Sequence, residues 1–300
     1  MNSFPFFSVV IPTYNRENII KKAIDSVLSQ SFQDFEIIII DNGSTDNTKQ
    51  YIKSYSNAKI KYFYQIGSGS PASPRNAGIR NSSAPWVCFL DSDDYWLPNK
   101  LEVLSRAIEA NKGADVFYHY EIMLDQNTSK ETLLSHHRRL DNMYEDMLEN
   151  GNQLSASATT IRRSFLNDHQ LFFNESHDFD IVEDYDLWLR VANQKARFFS
   201  IKEVLGVYVV NDQNLISDWG LYITNLKNLY HTHIYEIQDY EKNTDKLWRN
   251  KLIEIELLKM GHFFRSHQYK LLFIHLFKTV IKNPSYIFPF FKKKFLTLKI

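Results

Sequence analysis

The chain is short of cysteine, of charge imbalance and of long apolar runs, and each shortage removes a class of protein. One cysteine, Cys88, among 300 residues leaves neither a disulfide framework nor a zinc cluster to hold the fold. Set within an apolar run, it reads as a small core residue in a reducing, intracellular setting. Lysine plus arginine and aspartate plus glutamate both total 35, so the global basic excess of a nucleic-acid binder is missing and no nucleic-acid partner is expected. No stretch approaches the roughly 18 uninterrupted apolar residues of an ordinary spanning helix. The opening residues carry no basic segment ahead of a long apolar core, so no signal peptide is expected. No internal repeat is present.

What is there is an ordinary globular composition, 44% hydrophobic and 23% charged. The 300 residues allow one large α/β domain with an appendage, or two modest domains. The organising stretch is Trp86-Val87-Cys88-Phe89-Leu90-Asp91-Ser92-Asp93-Asp94, an apolar run that meets three carboxylates within four positions. Unbroken apolarity suits a strand buried on both faces, and the acidity marks where it surfaces. Carboxylates this close repel one another unless something positive lies between them. Hard oxygen ligands at a strand end match Mg²⁺ or Mn²⁺, and an acidic loop capping the next helix fits the same residues.

Ser8 to Ile11 reads as a first strand, followed by a helix from about Glu17 to Gln30 whose apolar positions recur at helical spacing. Phe35 to Ile40 reads as a second strand that ends in the polar turn Asp41-Asn42-Gly43-Ser44-Thr45-Asp46, with a helix to about Tyr55. Ile60 to Tyr64 is a third strand. Strands alternating with helices at this pace imply parallel strands and right-handed crossovers. The clusters at Asp41 and Asp91 both fall at carboxyl ends of strands, where open α/β sheets bind ligands. Helix 97–111 and strand 115–124 follow, then a loop with short helices over 125–150, a strand over 156–161, an acidic-start helix from Glu183 and two short strands, 196–200 and 204–210.

Ser8-Val9-Val10-Ile11-Pro12-Thr13-Tyr14-Asn15, Asp41 to Asp46, Arg75-Asn76-Ala77-Gly78-Ile79, Phe89 to Asp94, and Glu183-Asp184 followed by Leu187-Trp188 occur in that order. Together they resemble the family 2 glycosyltransferases of the GT-A fold, over roughly residues 6 to 212. The resemblance implies a Rossmann-like, mostly parallel sheet flanked by helices, with a catalytic domain over 1–215 and a helical C-terminal region over 216–300. Within the first, about 1–95 would bind nucleotide and about 96–215 would face the acceptor. It implies an inverting, hexosyltransferase-type transfer of one sugar from a nucleotide diphosphate sugar, UDP first, with Mn²⁺ or Mg²⁺.

Carried over position by position, Pro12, Thr13, Tyr14, Asn15 and Asp41 would cradle the base, Asp91 would lie by the ribose with Ser92 also at the donor, and Arg75 by the nucleotide or its phosphates. Asp93 would be the metal ligand and Asp184 the catalytic base, with Glu183 and Asp186 as rivals for that role. The chemistry agrees, because a departing nucleoside diphosphate builds negative charge that a cation offsets, and a sugar hydroxyl needs a carboxylate to take its proton. Two departures stand out. Asn211 occupies the region where many relatives carry a histidine, and the Gln-x-x-Arg-Trp element of processive synthases is missing. A non-processive enzyme follows.

Duller roles fit some of these residues. Asp41 and Asp46 suit turns and caps, Arg75 a surface pair, and His136 and His137 a solvated loop. After about Asp218 long helical periodicity takes over, with Trp248, Leu252, Ile255, Leu258 and His262 on one stripe and Leu272, Leu276 and Val280 on another. Residues 284–294, Pro284 to Lys294, mix aromatics with lysines, as peripheral contact with an anionic membrane requires. The expected setting is the cytoplasmic face of the cell membrane, with a glycan or lipid-linked acceptor. A sugar-phosphate nucleotidyltransferase and a non-catalytic sugar-nucleotide binding module are the alternatives, although Pro12 to Asn18 supplies no glycine-rich loop for a triphosphate.

Overall fold

A computed structural model describes residues 4–135, 142–152, 154–211 and 218–282, the last five by backbone alone. His136, His137 and the stretch 284–294 lie outside the described residues.

Strands β1 (Phe7–Thr13), β2 (Phe35–Asp41) and β4 (Trp86–Phe89) are buried along their whole length, as their unbroken apolar runs require. They pair in parallel with β3 (Ile60–Tyr64) in the order β3-β2-β1-β4, joined by α1 (Ile20–Leu28), α2 (Thr48–Ser54) and α3 (Ala72–Asn81). β1 therefore lies between β2 and β4, and their carboxyl ends open side by side. Helix α3 lies close on β1 because residue 78 is glycine: a Cβ there would stand 2.1 Å from Val10 Cγ1. Gly43, at φ +89°, turns the chain after β2 where a side chain would strike the backbone of Gly67 at 2.7 Å.

Beyond β4 the sheet changes direction. β8 (Thr159–Arg162) runs antiparallel to both β4 and β6 (Val116–Asp125), and β6 runs parallel to β9 (Phe198–Val210). The short β5 (Tyr95–Trp96) closes the edge against β9. The sheet is thus mixed, parallel across β3-β2-β1-β4 and again between β6 and β9, and antiparallel at β8 and β5. Helix α4 (Lys100–Ala110) occupies the predicted 97–111 span.

Two elements differ from expectation. Part of the predicted loop after Asp125 is a strand, β7 (Lys130–Leu134), which forms a hairpin with the distal half of β6. Its alternation of exposed and half-buried positions carries few apolar residues for a pattern to detect. The two short strands predicted over 196–210 are one, β9, interrupted by a bulge that leaves Lys202 and Glu203 unopposed between the Ile201–His119 and Val204–Tyr120 pairs. Those two charges broke the apolar run.

Contacts divide the chain into two compact units, Met1–Leu226 and Lys227–Ile300, with the division inside helix α8 (Trp219–Thr232). Within the first unit, the Asn225 amide donates to the His177 and Asp180 carbonyls and holds the start of α8. In the second unit, α9 (Thr244–Arg265) buries Leu247, Lys251 and Ile255, one turn apart. Trp248, Leu252, Leu258 and His262 from the expected stripe are only half-buried, so the inner face is rotated from the predicted one.

Candidate active site

The carboxyl ends of β1, β2 and β4 open on a cavity of about 490 Å³. Pro12, Thr13, Tyr14, Arg75, Asp91, Ser92 and Asp93 line it, as do Arg16, Asn42 and the loop around Gly67 to Pro71. Tyr14 is 55% exposed, a ring available for stacking on a planar base. Thr13 Oγ1 is buried in the wall without a hydrogen-bond partner.

Two of the residues expected to touch the donor, Asn15 and Asp41, are not among the wall residues. Asp41 is fully buried and does not line the cavity. Its Oδ1 accepts from the Ser44 amide at 2.8 Å and its Oδ2 from the Tyr62 hydroxyl at 2.6 Å. Asn15, at φ +50°, also misses the wall; its side-chain oxygen accepts from the Thr45 amide and its own amide donates to Ser44. Both residues fix the turn after β2, because short polar side chains satisfy a turn's backbone groups locally. Asn42 takes the wall position, and its amide group shapes the loop by bonding Gln65, Ser68 and Ser70. Asp46 holds the start of α2 through Thr48, the dull role considered for it.

A second cavity, of about 870 Å³, adjoins the first and shares Gly69, Pro71, Arg75 and Asp91 with it. Glu121, Asp180, Glu183, Asp184, Tyr208 and Leu221 contribute further wall. Asp93 therefore opens on one chamber and Asp184 on its neighbour. Arg75, 5% exposed, spans the partition. Its guanidinium donates to Asp91 Oδ1 and to Glu183 Oε1, each at 2.6 Å, so it is a buried bridge and not a surface pair. Next to it, Asn76 bonds the backbone of Phe173 in both directions, which draws the 172–175 segment onto α3.

Helix α7 (Glu183–Asn193) begins with the acidic pair. Burial first, then the charge of Glu183, push the Asp184 carboxyl up to about 7, while Arg75 pulls it down. Glu183 is raised by burial against the same guanidinium. A carboxylate near 7 is poised to exchange a proton at neutral pH. Asp186 faces away and pairs with Arg190 at 2.7 Å, which removes it from the rivals for the base.

Asp93 Oδ2 lies 3.7 Å from Arg16. Among the described residues no three histidine, cysteine, aspartate or glutamate side chains form a cage for an ion. Mg²⁺ and Mn²⁺ bound with a substrate diphosphate need only one or two protein carboxylates, so the hard oxygens of Asp91 and Asp93 on the wall fit such an ion.

Several supporting residues carried no readable signal. Ser157, 1% exposed, accepts the Asp91 amide at 3.1 Å and donates to Asp94 at 2.5 Å, while its carbonyl receives Lys100 Nζ and Trp96 Nε1, both at 2.9 Å. Asp94 also accepts the Val209 amide, so it ties the acidic strand end to β9 and does not face the donor cavity. Burial pushes Lys100 down to about 7 and Glu121 up to about 7. Burial and the carboxylates of Asp94, Asp91, Asp93 and Asp184 raise Tyr208. Glu121 was the one detectable member, a lone acid in an apolar strand.

The chain belongs to glycosyl transferase family 2, whose family profile matches residues 8–169. It is 29% identical over 184 residues to an Escherichia coli protein described as UDP-Glc:alpha-D-GlcNAc-diphosphoundecaprenol beta-1,3-glucosyltransferase WfgD, covering 61% of this chain and 68% of that one. It is 46% identical over 105 residues to an uncharacterized glycosyltransferase of Rickettsia bellii, covering 35% of this chain, and spans only 15% of that protein's length. Among solved structures it resembles S. aureus TarS 1-349 in complex with UDP-GlcNAc, with a TM-score of 0.65 at 22% identity, covering 82% of this chain and 71% of that one.

Proposed function

We propose that this chain moves one sugar, with inversion, from a UDP-sugar to a hydroxyl of a lipid-linked saccharide during assembly of a cell-surface glycan at the inner face of the membrane. The observation that carries the proposal is the pair of chambers that share the Arg75 and Asp91 wall, with Asp93 on one and Asp184 on the other. The E. coli relative's diphosphoundecaprenol acceptor supplies the acceptor class.

Tyr14 and Asn42 take the base, Asp91 and Ser92 the ribose, and Asp93 would hold Mn²⁺ or Mg²⁺. When bound, that ion offsets charge on the leaving diphosphate. Asp41 and Asn15 act from beneath, by holding the turn that positions Asn42. Asp184 accepts the proton of the acceptor hydroxyl from the face opposite the leaving group, and Arg75 keeps that carboxyl low enough to be ionised near neutral pH.

The test is transfer from a panel of nucleotide sugars to polyprenyl-diphosphate saccharides, with and without Mn²⁺ or Mg²⁺. Transfer from UDP-sugars should require the ion and be lost in Asp93→Ala. Full activity of that variant refutes the metal assignment. Pyrophosphate release from a nucleoside triphosphate and a sugar phosphate would favour a nucleotidyltransferase, and donor binding without turnover a binding module.

A further inference from the structure

The overall neutrality of the chain conceals a division. From residue 257 to 300 the sequence has nine lysines and arginines and no aspartate or glutamate. The preceding residues carry the compensating negative excess. Glu256, the last acid, is already engaged, accepting from Lys259 and from His275, each at 2.7 Å. That second contact ties α10 (Tyr269–Lys282) to α9, and Phe263 stacks near His275 with ring centroids 5.2 Å apart.

His275 fixes which side of α10 faces inward. Leu272, His275 and Leu276 form the half-buried side. Lys270, Phe273, Ile274 and Phe277 fall on the opposite side by helical spacing, and Phe273 and Phe277 are 65% and 67% exposed. An outward face should be polar; this one presents two phenyl rings and an isoleucine next to a lysine. Phe264, at the end of α9, is 62% exposed. Apolar clusters of this kind on a folded surface mark an interaction site.

We propose that this face of α10 is a docking surface for an anionic lipid bilayer, with Phe273, Ile274 and Phe277 entering the interface and Lys270 meeting the headgroups. Charge decides between occupants. A second copy of the chain would bring together two acid-free segments, each with Lys270 on the docking side, whereas anionic lipid neutralises that charge. Exposed rings and basic residues supply the two cooperating signals that stable peripheral attachment needs. No described helix is long and apolar enough to cross a membrane, so attachment in the interface plane is the mode this helix offers. The inference deepens the proposed function by naming the surface on which a lipid-linked acceptor would be met, but its test is independent of catalysis.

The experiment is co-sedimentation of the full chain with phosphatidylcholine vesicles, with and without about 30% phosphatidylglycerol. Binding should need the anionic lipid and weaken several-fold between about 0.1 M and about 0.5 M salt. Phe273→Gln with Phe277→Gln should reduce partitioning by about tenfold or more, from the apolar area withdrawn, with an unchanged melting curve. Lys270→Glu should weaken binding to the anionic vesicles alone. No anionic-vesicle binding, equal binding to both vesicles, or unaltered binding by the double variant overturns the inference, as does a dimer in solution that the double variant dissolves. UDP-sugar transfer to a short-chain soluble acceptor separates the two readings. Vesicle binding without transfer defeats the function alone, and transfer without vesicle binding defeats the docking surface alone.

Discussion

Replacing Arg75 by methionine should damage stability and catalysis together, for one electrostatic reason. The guanidinium makes two ion pairs of 2.6 Å, with the side chains of Arg75 and Glu183 each 6% exposed and that of Asp91 29% exposed. Opposite charges about 4 Å apart in an effective dielectric of about 20 attract by about 4 kcal/mol, and desolvation offsets most of that. The net value of the bridge is therefore small, and solvent at Asp91 reduces its share further. Removing the cation alone is different, because buried Glu183 and half-buried Asp184 stay side by side with no positive charge between them. Stranding buried carboxylates costs about 3–5 kcal/mol. That lowers Tm by roughly 6–20 °C on the usual scaling for chains of this size. Asp184 is raised to about 7 by burial and then by Glu183, and Arg75 opposes both. Without the guanidinium its carboxyl rises further, so the ionised base is reached only at more alkaline pH and the rising limb of the transfer rate moves upward. Thermal melts and pH–rate profiles of the wild type, Arg75→Met and Arg75→Met with Glu183→Gln test both halves. The double variant removes one stranded charge and should recover part of the stability and of the shift. A Tm within about 2 °C of wild type with an unmoved limb would refute the reasoning, because it would mean that the bridge compensates no buried charge.

Asp184→Asn should lower transfer by about 10²–10⁴-fold while calorimetry with the UDP-sugar shows donor binding intact. The folded carboxyl at about 7 against its ordinary 3.8 means that the folded chain holds the extra proton between those values, so Asp184 makes stability fall as pH rises through that window. Urea midpoints of Asp184→Asn should fall less steeply over the same range. Ser157→Ala removes the hydroxyl that serves both the Asp91 amide and buried Asp94, and should cost about 1–3 kcal/mol by urea unfolding. Gly78→Ala sets a methyl 2.1 Å from Val10 Cγ1 and should cost about 1–3 kcal/mol, read as a lowered Tm.

The parts legible in the sequence share a physical property: their signal is local. β1, β2 and β4 are apolar runs because both faces are covered, and the carboxylates that follow β2 and β4 mark the sheet's open end without any tertiary information. What a local pattern cannot specify is which way a side chain turns. Asp41 and Asp91 occupy equivalent strand ends, yet Asp41 is captured by Ser44 and Tyr62 while Asp91 reaches the cavity. That difference depends on a tyrosine from a neighbouring strand. Asn15 is held in a comparable way by a partner 30 residues on, in the next turn. Ser157 and Lys100 were invisible because each matters only through a long-range contact, and nothing distinguishes a serine in Ser155-Ala156-Ser157-Ala158 from a loop residue until Asp91 and Asp94 are placed beside it.

Arg75 is where the local and long-range readings meet. Its own motif identified it, and a surface ion pair was a fair alternative while only its neighbours in sequence were considered. The pairing with Glu183, 108 positions away, settles that point. It also gives the donor and acceptor halves one shared charge system: Asp91 is one of the negative charges that raise Asp184, so neutralising Asp91 lowers the Asp184 carboxyl. A donor phosphate drawn toward Arg75 would have the reverse effect and raise the Asp184 carboxyl, strengthening it as a base at the moment a sugar is in place. The apparent pKa of the rising limb should therefore be higher in the donor-saturated enzyme, read from kcat, than in the free enzyme, read from kcat/KM. An identical value in both profiles would mean that Asp184 does not feel the donor through Arg75, and that the two chambers share a wall without sharing its charge.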